Sequence, residues 1–141
     1  MKSLWTFALP LLIASISFAG PEERAMQKKV EDAIPASIAA VKQKCGCATK
    51  IDVKFAELKT TDLIRCAKSA VEDVAETGAG YCQDAATKSA VCKVKTWAVT
   101  KASGEPTTKF AGGVGTIEVA ESSGSCQKFK AENLITQHID K

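Results

Sequence analysis

Histidine is almost missing from this sequence: His138 is its only imidazole. A hydrolytic triad needs a histidine base held beside a nucleophile and an orienting acid, and His138 stands on what reads as the last turn of a terminal helix. A satisfied or solvated surface histidine is the expectation. Structural zinc sites show two closely spaced ligand pairs, and only one close pair, Cys45 and Cys47, exists here. Arg24 and Arg65 are the only guanidinium donors, which leaves few residues for bidentate recognition of phosphate or carboxylate. Beyond residue 19 the one methionine is Met26, which disfavours copper, so neither a metal nor a cofactor is expected. Gly-x-Ser-x-Gly and His-Glu-x-x-His are both absent. The single asparagine, Asn133, precedes Leu134 and Ile135 and forms no glycosylation sequon.

Long apolar runs are equally scarce. After Ala19 none approaches the roughly 18 to 20 residues that span a bilayer. No block of like charge exists either, since acids and bases alternate through Lys50, Asp52, Lys54, Glu57, Lys59 and Asp62. Such a surface has nothing continuous with which to track a nucleic-acid backbone or an anionic membrane.

What the chain does contain begins with its first 19 residues. Lys2, an apolar run from Leu4 to Ile16, and Ser17-Phe18-Ala19 have the order of a secretory signal with a small-x-small cleavage site. Cleavage after Ala19 leaves residues 20–141 as one exported domain, periplasmic or secreted, with the bacterial periplasm favoured. In an oxidising compartment the six cysteines, Cys45, Cys47, Cys66, Cys82, Cys92 and Cys126, read as a disulfide framework.

Apolar steps of three and four through Met26, Val30, Ala33, Ile34, Ile38, Val41 and Cys45 predict a long amphipathic helix. Pro21 suits its first turn, and Pro35 should kink it. Ile51, Val53 and Phe55 alternate with Asp52 and Lys54, as in a half-buried strand. Thr60-Thr61-Asp62 caps a second helix, to about Glu76, whose stripe runs through Leu63, Cys66, Ala67, Ala70, Val71 and Val74. Thr77-Gly78-Ala79-Gly80 should stop it through a left-handed glycine. A turn or short helix capped by Asp84 follows.

From Val91 to Glu121 the pattern reads as a three-stranded meander turning at Ser103-Gly104 and Gly112-Gly113. The second turn sets Phe110 opposite Gly115, Lys109 opposite Thr116 and Thr108 opposite Ile117. Phe110, Ile117 and Val119 then share one face, with Lys109, Thr116 and Glu118 on the other. Extending the register through the first turn places Trp97 opposite Phe110. Lys93 and Lys95 break the alternation. A final helix after Ser125 carries Phe129, Leu134, Ile135 and Ile139. The expected fold is α+β, an antiparallel sheet of about four strands with three helices packed on it, braced by disulfides.

Cys45-Gly46-Cys47 is the sharpest motif. Two thiols so close could exchange a disulfide or chelate a soft metal. A bridge between them would close a small strained ring, so separate structural partners are favoured. The preferred pairing joins Cys82 to Cys92 and gives Cys45 and Cys47 to Cys66 and Cys126. Glu72, Asp73 and Glu76 read as a solvated helix face, and a hydrolase would require Glu57, Glu72 or Glu118 to converge in a cleft. Gly112-Gly113-Val114-Gly115 lacks the lysine and following helix of a phosphate loop. Trp97 reads as core, and Phe129 as a lesser candidate for a binding surface. Tyr81, in a glycine-bounded loop, is the one exposed contact candidate.

The functional expectation is a small exported non-catalytic domain that binds or inhibits a protein or envelope component. The alternative is a thiol-disulfide or soft-metal protein acting through Cys45 and Cys47.

Overall fold

The computed structural model describes residues 20–122, 125–128 and 131–140, so the expected signal segment and Phe129 lie outside the described residues. Helix α1 runs unbroken from Pro21 to Cys45, with Glu22 and Glu23 at its positive end and Lys42 and Lys44 at its negative end. Pro35 lies within it. Two residues on, the buried Ser37 hydroxyl donates to the Val71 carbonyl at 2.9 Å and ties α1 to the second helix. Gly46 ends α1 in the left-handed conformation, φ 80°, its N–H bonded to the Lys42 carbonyl.

Strand β1 (Lys50–Val53) is followed by α2 (Thr61–Asp73). Thr60 caps α2 by accepting from Leu63 N at 3.1 Å. Beyond Asp73 the chain does not stop at the glycines. It widens into a π turn (Val74–Gly78) and tightens into a 3₁₀ turn (Ala79–Tyr81). Gly78 has an ordinary right-handed φ of −66°, so the left-handed stop is corrected. A Cβ there would lie 3.3 Å from Ala131 Cβ and 3.7 Å from Trp97 Cη2, so glycine is needed for close approach. The segment after Tyr81 does contain a short helix, α3 (Ala85–Cys92), with Asp84 and Thr87 forming a reciprocal capping box.

The class is α+β, with a mixed sheet of five strands. Strands β2 (Thr96–Lys101), β3 (Thr108–Ala111), β4 (Val114–Ser122) and β5 (Ser125–Lys128) complete it. The order is β1-β2-β4-β3, and β5 pairs with the distal half of β4. The expected register of the Gly112-Gly113 hairpin holds, with Phe110 opposite Gly115 and Thr108 opposite Ile117. Both glycines have positive φ, as a tight two-residue turn requires.

The antiparallel meander is corrected. β2 runs parallel to both β1 and β4, which places Trp97 opposite Gly115 rather than Phe110. Pro106 gives the physical reason. A hairpin at Ser103-Gly104 would put this proline two residues into the returning strand, where it cannot donate to the ladder. The chain instead loops through a buried Pro106 and returns along the far side of β4. A central parallel strand is covered on both faces, and Trp97, Ala98 and Val99 are all buried. The first residues assigned to the meander, Val91 and Cys92, belong to α3. Strand β5 occupies part of what the sequence suggested as the last helix, which becomes α4 (Ala131–His138).

Ile51, Val53, Trp97, Val99, Ile117 and Val119 alternate onto the sheet face that meets the helices. Gly115 interrupts that face between Trp97 and Phe110, and Leu134 of α4 fills the gap. A Cβ on Gly115 would stand 2.9 Å from Leu134 Cδ1 and 3.1 Å from Val94 Cγ1. Gly115→Ala is therefore expected to destabilise the fold by about 1–3 kcal/mol through overpacking. Gly104→Ala, with open space around it, should stay within about 0.5 kcal/mol. Urea denaturation of the two variants checks the contrast, and equal midpoints would contradict the packing described.

Candidate functional site

All six cysteines are closed into disulfides: Cys45–Cys82, Cys47–Cys92 and Cys66–Cys126. Gly46 turns the chain between the first two, so adjacent cysteines leave α1 toward opposite ends of α3. The expected Cys82–Cys92 bridge is corrected, and with it the assignment of Cys66 and Cys126 to Cys45 and Cys47. The eight residues of α3 form a rod about 12 Å long, which holds Cys82 and Cys92 apart. A disulfide needs Cα atoms within about 7 Å. Cys126 on β5 instead lies over α2, with its Cα 5.3 Å from that of Cys66. Neither Cys45 nor Cys47 carries a free thiol in this structure.

Tyr81 is half-buried beside Cys82. Its hydroxyl donates to Asp140 Oδ2 at 2.5 Å, joining the 3₁₀ turn to the end of α4. The hydrogen bond to this carboxylate, reinforced by partial burial and the negative charge, raises the phenol above its ordinary pKa. A surface hollow of about 360 Å³ opens here, lined by Glu76, Thr77, Gly80, Tyr81, Gln83, Thr87 and Glu132. Among the described residues its rim is acidic and carries no lysine or arginine.

A second hollow, about 580 Å³, opens past the other end of α3. Ser89, Cys92, Lys93, Lys95, Phe110 and Gly113 line it. Here the rim is cationic. Lys93 and Lys95, which spoil the strand pattern in the sequence, lie in the connection before β2 and are exposed. Sequence reasoning placed Phe110 on the core face without revealing that its outer edge borders this hollow.

Three polar side chains, two of them buried, fix the elements around these surfaces. Asp73, grouped in the sequence with Glu72 and Glu76 as a solvated face, is 4% exposed. Its Oδ2 accepts from Ala131 N at 2.6 Å and from the Thr77 hydroxyl at 3.0 Å, capping α4 from another element. The signal was present: Asp73 is three residues beyond Ala70 and seven beyond Cys66, on the stripe itself. His138 Nε2 donates to the Thr108 carbonyl at 2.9 Å and seats the last turn of α4 on β3. Glu118 accepts from Thr107 N at 3.0 Å and from the Thr107 hydroxyl at 2.7 Å, with Lys109 Nζ at 3.4 Å. Burial pushes its carboxyl upward, but these hydrogen bonds and the Lys109 charge outweigh burial and hold it below its ordinary pKa.

Trp97 is fully buried, and its Nε1 has no acceptor among the described residues. Such an orphan donor costs about 1–3 kcal/mol, which the burial of the whole indole offsets.

The three candidate hydrolytic carboxylates remain apart in their bonding. Glu57 accepts from Lys101 N, Glu72 pairs with Lys68, and Glu118 is held by Thr107. Among the described residues no group of three His, Cys, Asp or Glu is gathered to hold a metal, and no helix is long and apolar enough to cross a membrane.

No protein-family model, curated protein or solved structure matches the chain, so function is argued from the geometry alone.

Two outcomes follow from the buried carboxylates. Asp73→Ala should destabilise the protein by about 1–3 kcal/mol through loss of the α4 cap, and the Ala131 amide should lose protection in hydrogen exchange. Unchanged protection would contradict the capping role. The Glu118 contribution is complete above the unfolded carboxyl value of about 4.3 and is lost as pH falls through the lower folded value. Melting temperature against pH should therefore drop less steeply below about pH 5 in Glu118→Gln than in the native chain.

Proposed function

We propose that the protein is an exported, non-catalytic, disulfide-stabilised binding module whose partner is a protein or an envelope component. The observation that carries this reading is the separate closure of Cys45 and Cys47 into two structural disulfides. Small domains with a modest core rely on such bridges in oxidising compartments, and each loop here is long enough to contribute about 4 kcal/mol on the chain-entropy account. The alanine-rich stripe of α2 fits that need, because Ala67 and Ala70 are fully buried yet bury little apolar area. The segment before residue 20 supplies the route of export, and the periplasm or the exterior of the cell is the compartment.

The ionisable groups support binding over catalysis. His138, Asp73 and Glu118 are each engaged in hydrogen bonds that join elements of the fold. Tyr81 and the acidic hollow around it form one surface for a partner, with the ring as an aromatic contact and Glu76 and Glu132 as charged flanks.

The test is a thiol count with a partner assay beside it. Purified under native conditions and then denatured without reductant, the protein should take up no alkylating reagent by intact mass. It should also retain a partner from periplasmic extract, and lose it after reduction unfolds the domain. Two alkylated cysteines at positions 45 and 47, or reduction of a disulfide substrate by the protein, would replace the binding module with a redox protein.

A further inference from the structure

We propose that the hollow between α3 and the β3–β4 turn is a docking site for an acidic, extended peptide segment of a protein partner. An apolar side chain of that segment sits against Phe110 and the Cys47–Cys92 disulfide, and its flanking carboxylates meet Lys93 and Lys95. This site lies beyond the Tyr81 surface and rests on the binding-module reading.

Charge is the first argument. The stretch from Ala85 to Lys95 holds Lys88, Lys93 and Lys95 and no acid. Among the described residues neither Lys93 nor Lys95 has a carboxylate within ion-pair distance, and no acidic side chain lines the hollow. Lys28, Lys54, Lys68 and Lys109, by contrast, are each paired with an acid. Two unpaired ammonium groups on one rim steer an anionic partner.

The floor is the second. Phe110 and Cys92 supply apolar surface between the two cations, and Gly113 brings backbone against the Lys95 stem. An apolar centre with a charged rim is the ordinary anatomy of a protein contact.

The strand edge is the third, and it selects an extended peptide. Glu118 N donates to the Thr107 carbonyl, which fixes residues 107, 109 and 111 as those whose backbone faces β4. Thr108 and Phe110 face outward. The Thr108 carbonyl is already taken by His138. Phe110 is next along the edge, and it is also one of the residues that line the hollow. A partner chain can add to that edge by strand pairing while an alternate side chain reaches the floor at Phe110.

The experiment is an amide chemical-shift titration of the oxidised protein with an acetylated, amidated pentapeptide of alternating glutamate and leucine. Its counterpart of alternating lysine and leucine and a dodecanoate solution are the comparison probes. The acidic peptide should shift Lys93, Lys95, Phe110 and Gly113, more weakly at high salt, and Lys93→Glu/Lys95→Glu should weaken it at least tenfold. Both lysines are exposed, so an unchanged spectrum away from the site shows that this variant is folded. Tyr81→Ala should leave the affinity as it was. Equal response to the basic peptide, preference for dodecanoate, shifts centred on Tyr81 and Glu132, or no shift at millimolar peptide would each overturn the proposal. Should an extract partner still be retained by the protein in that event, the binding-module reading stands and only this site is lost.

Discussion

The molecule is organised around a reversal of three residues. Gly46, in the left-handed region, lets Cys45 finish a helix and Cys47 start toward a strand. Their disulfides clasp α3 at both ends, and Cys45 and Cys82 join the hydrophobic core. Any side chain at position 46 would meet the strain of a positive φ, although the space around it is open. The turn therefore depends on backbone conformation rather than on packing. With it in place, the two disulfides fix the relations of α1, α3 and the approach to β1.

The terminal helix is secured differently, by hydrogen bonds spread along its length. Asp73 holds its first amide, His138 seats its last turn, and Tyr81 takes Asp140 just beyond. Leu134 enters the gap above Gly115 between these polar ties. Each partner comes from a different part of the chain, so α4 registers the positions of the end of α2, the 3₁₀ turn and β3 together. The sole histidine and the buried aspartate are both engaged in these ties.

Much of this was legible in the sequence. Period-3.6 stripes gave α1 and α2, Thr60 and Asp84 marked helix starts, and two glycines with alternating neighbours set the β3–β4 register. The strand order was not, because a parallel pairing joins segments far apart and leaves no turn to read. Pro106 was the available clue that β2 and β3 are not hairpin partners. Disulfide connectivity was hidden for a similar reason, since it depends on whether the residues between two cysteines form a flexible loop or a stiff rod. The hollows were out of reach as well. Lys93 and Lys95 were visible only as a defect in a strand pattern, and a concave surface arises only when the β3–β4 turn is brought against the end of α3.

The three bridges also interlock in sequence. Cys47 lies inside the loop closed by Cys45 and Cys82, and Cys66 lies inside both that loop and the one closed by Cys47 and Cys92, while its partner, Cys126, lies outside both. Every peptide bond from Cys45 to Cys126 is consequently spanned by at least one sulfur link. A protease that nicks the exposed stretch at Ser103-Gly104-Glu105 severs the backbone without releasing a fragment, and the two halves stay joined through Cys66 and Cys126. Damage at that loop then leaves one covalent body that can keep its shape.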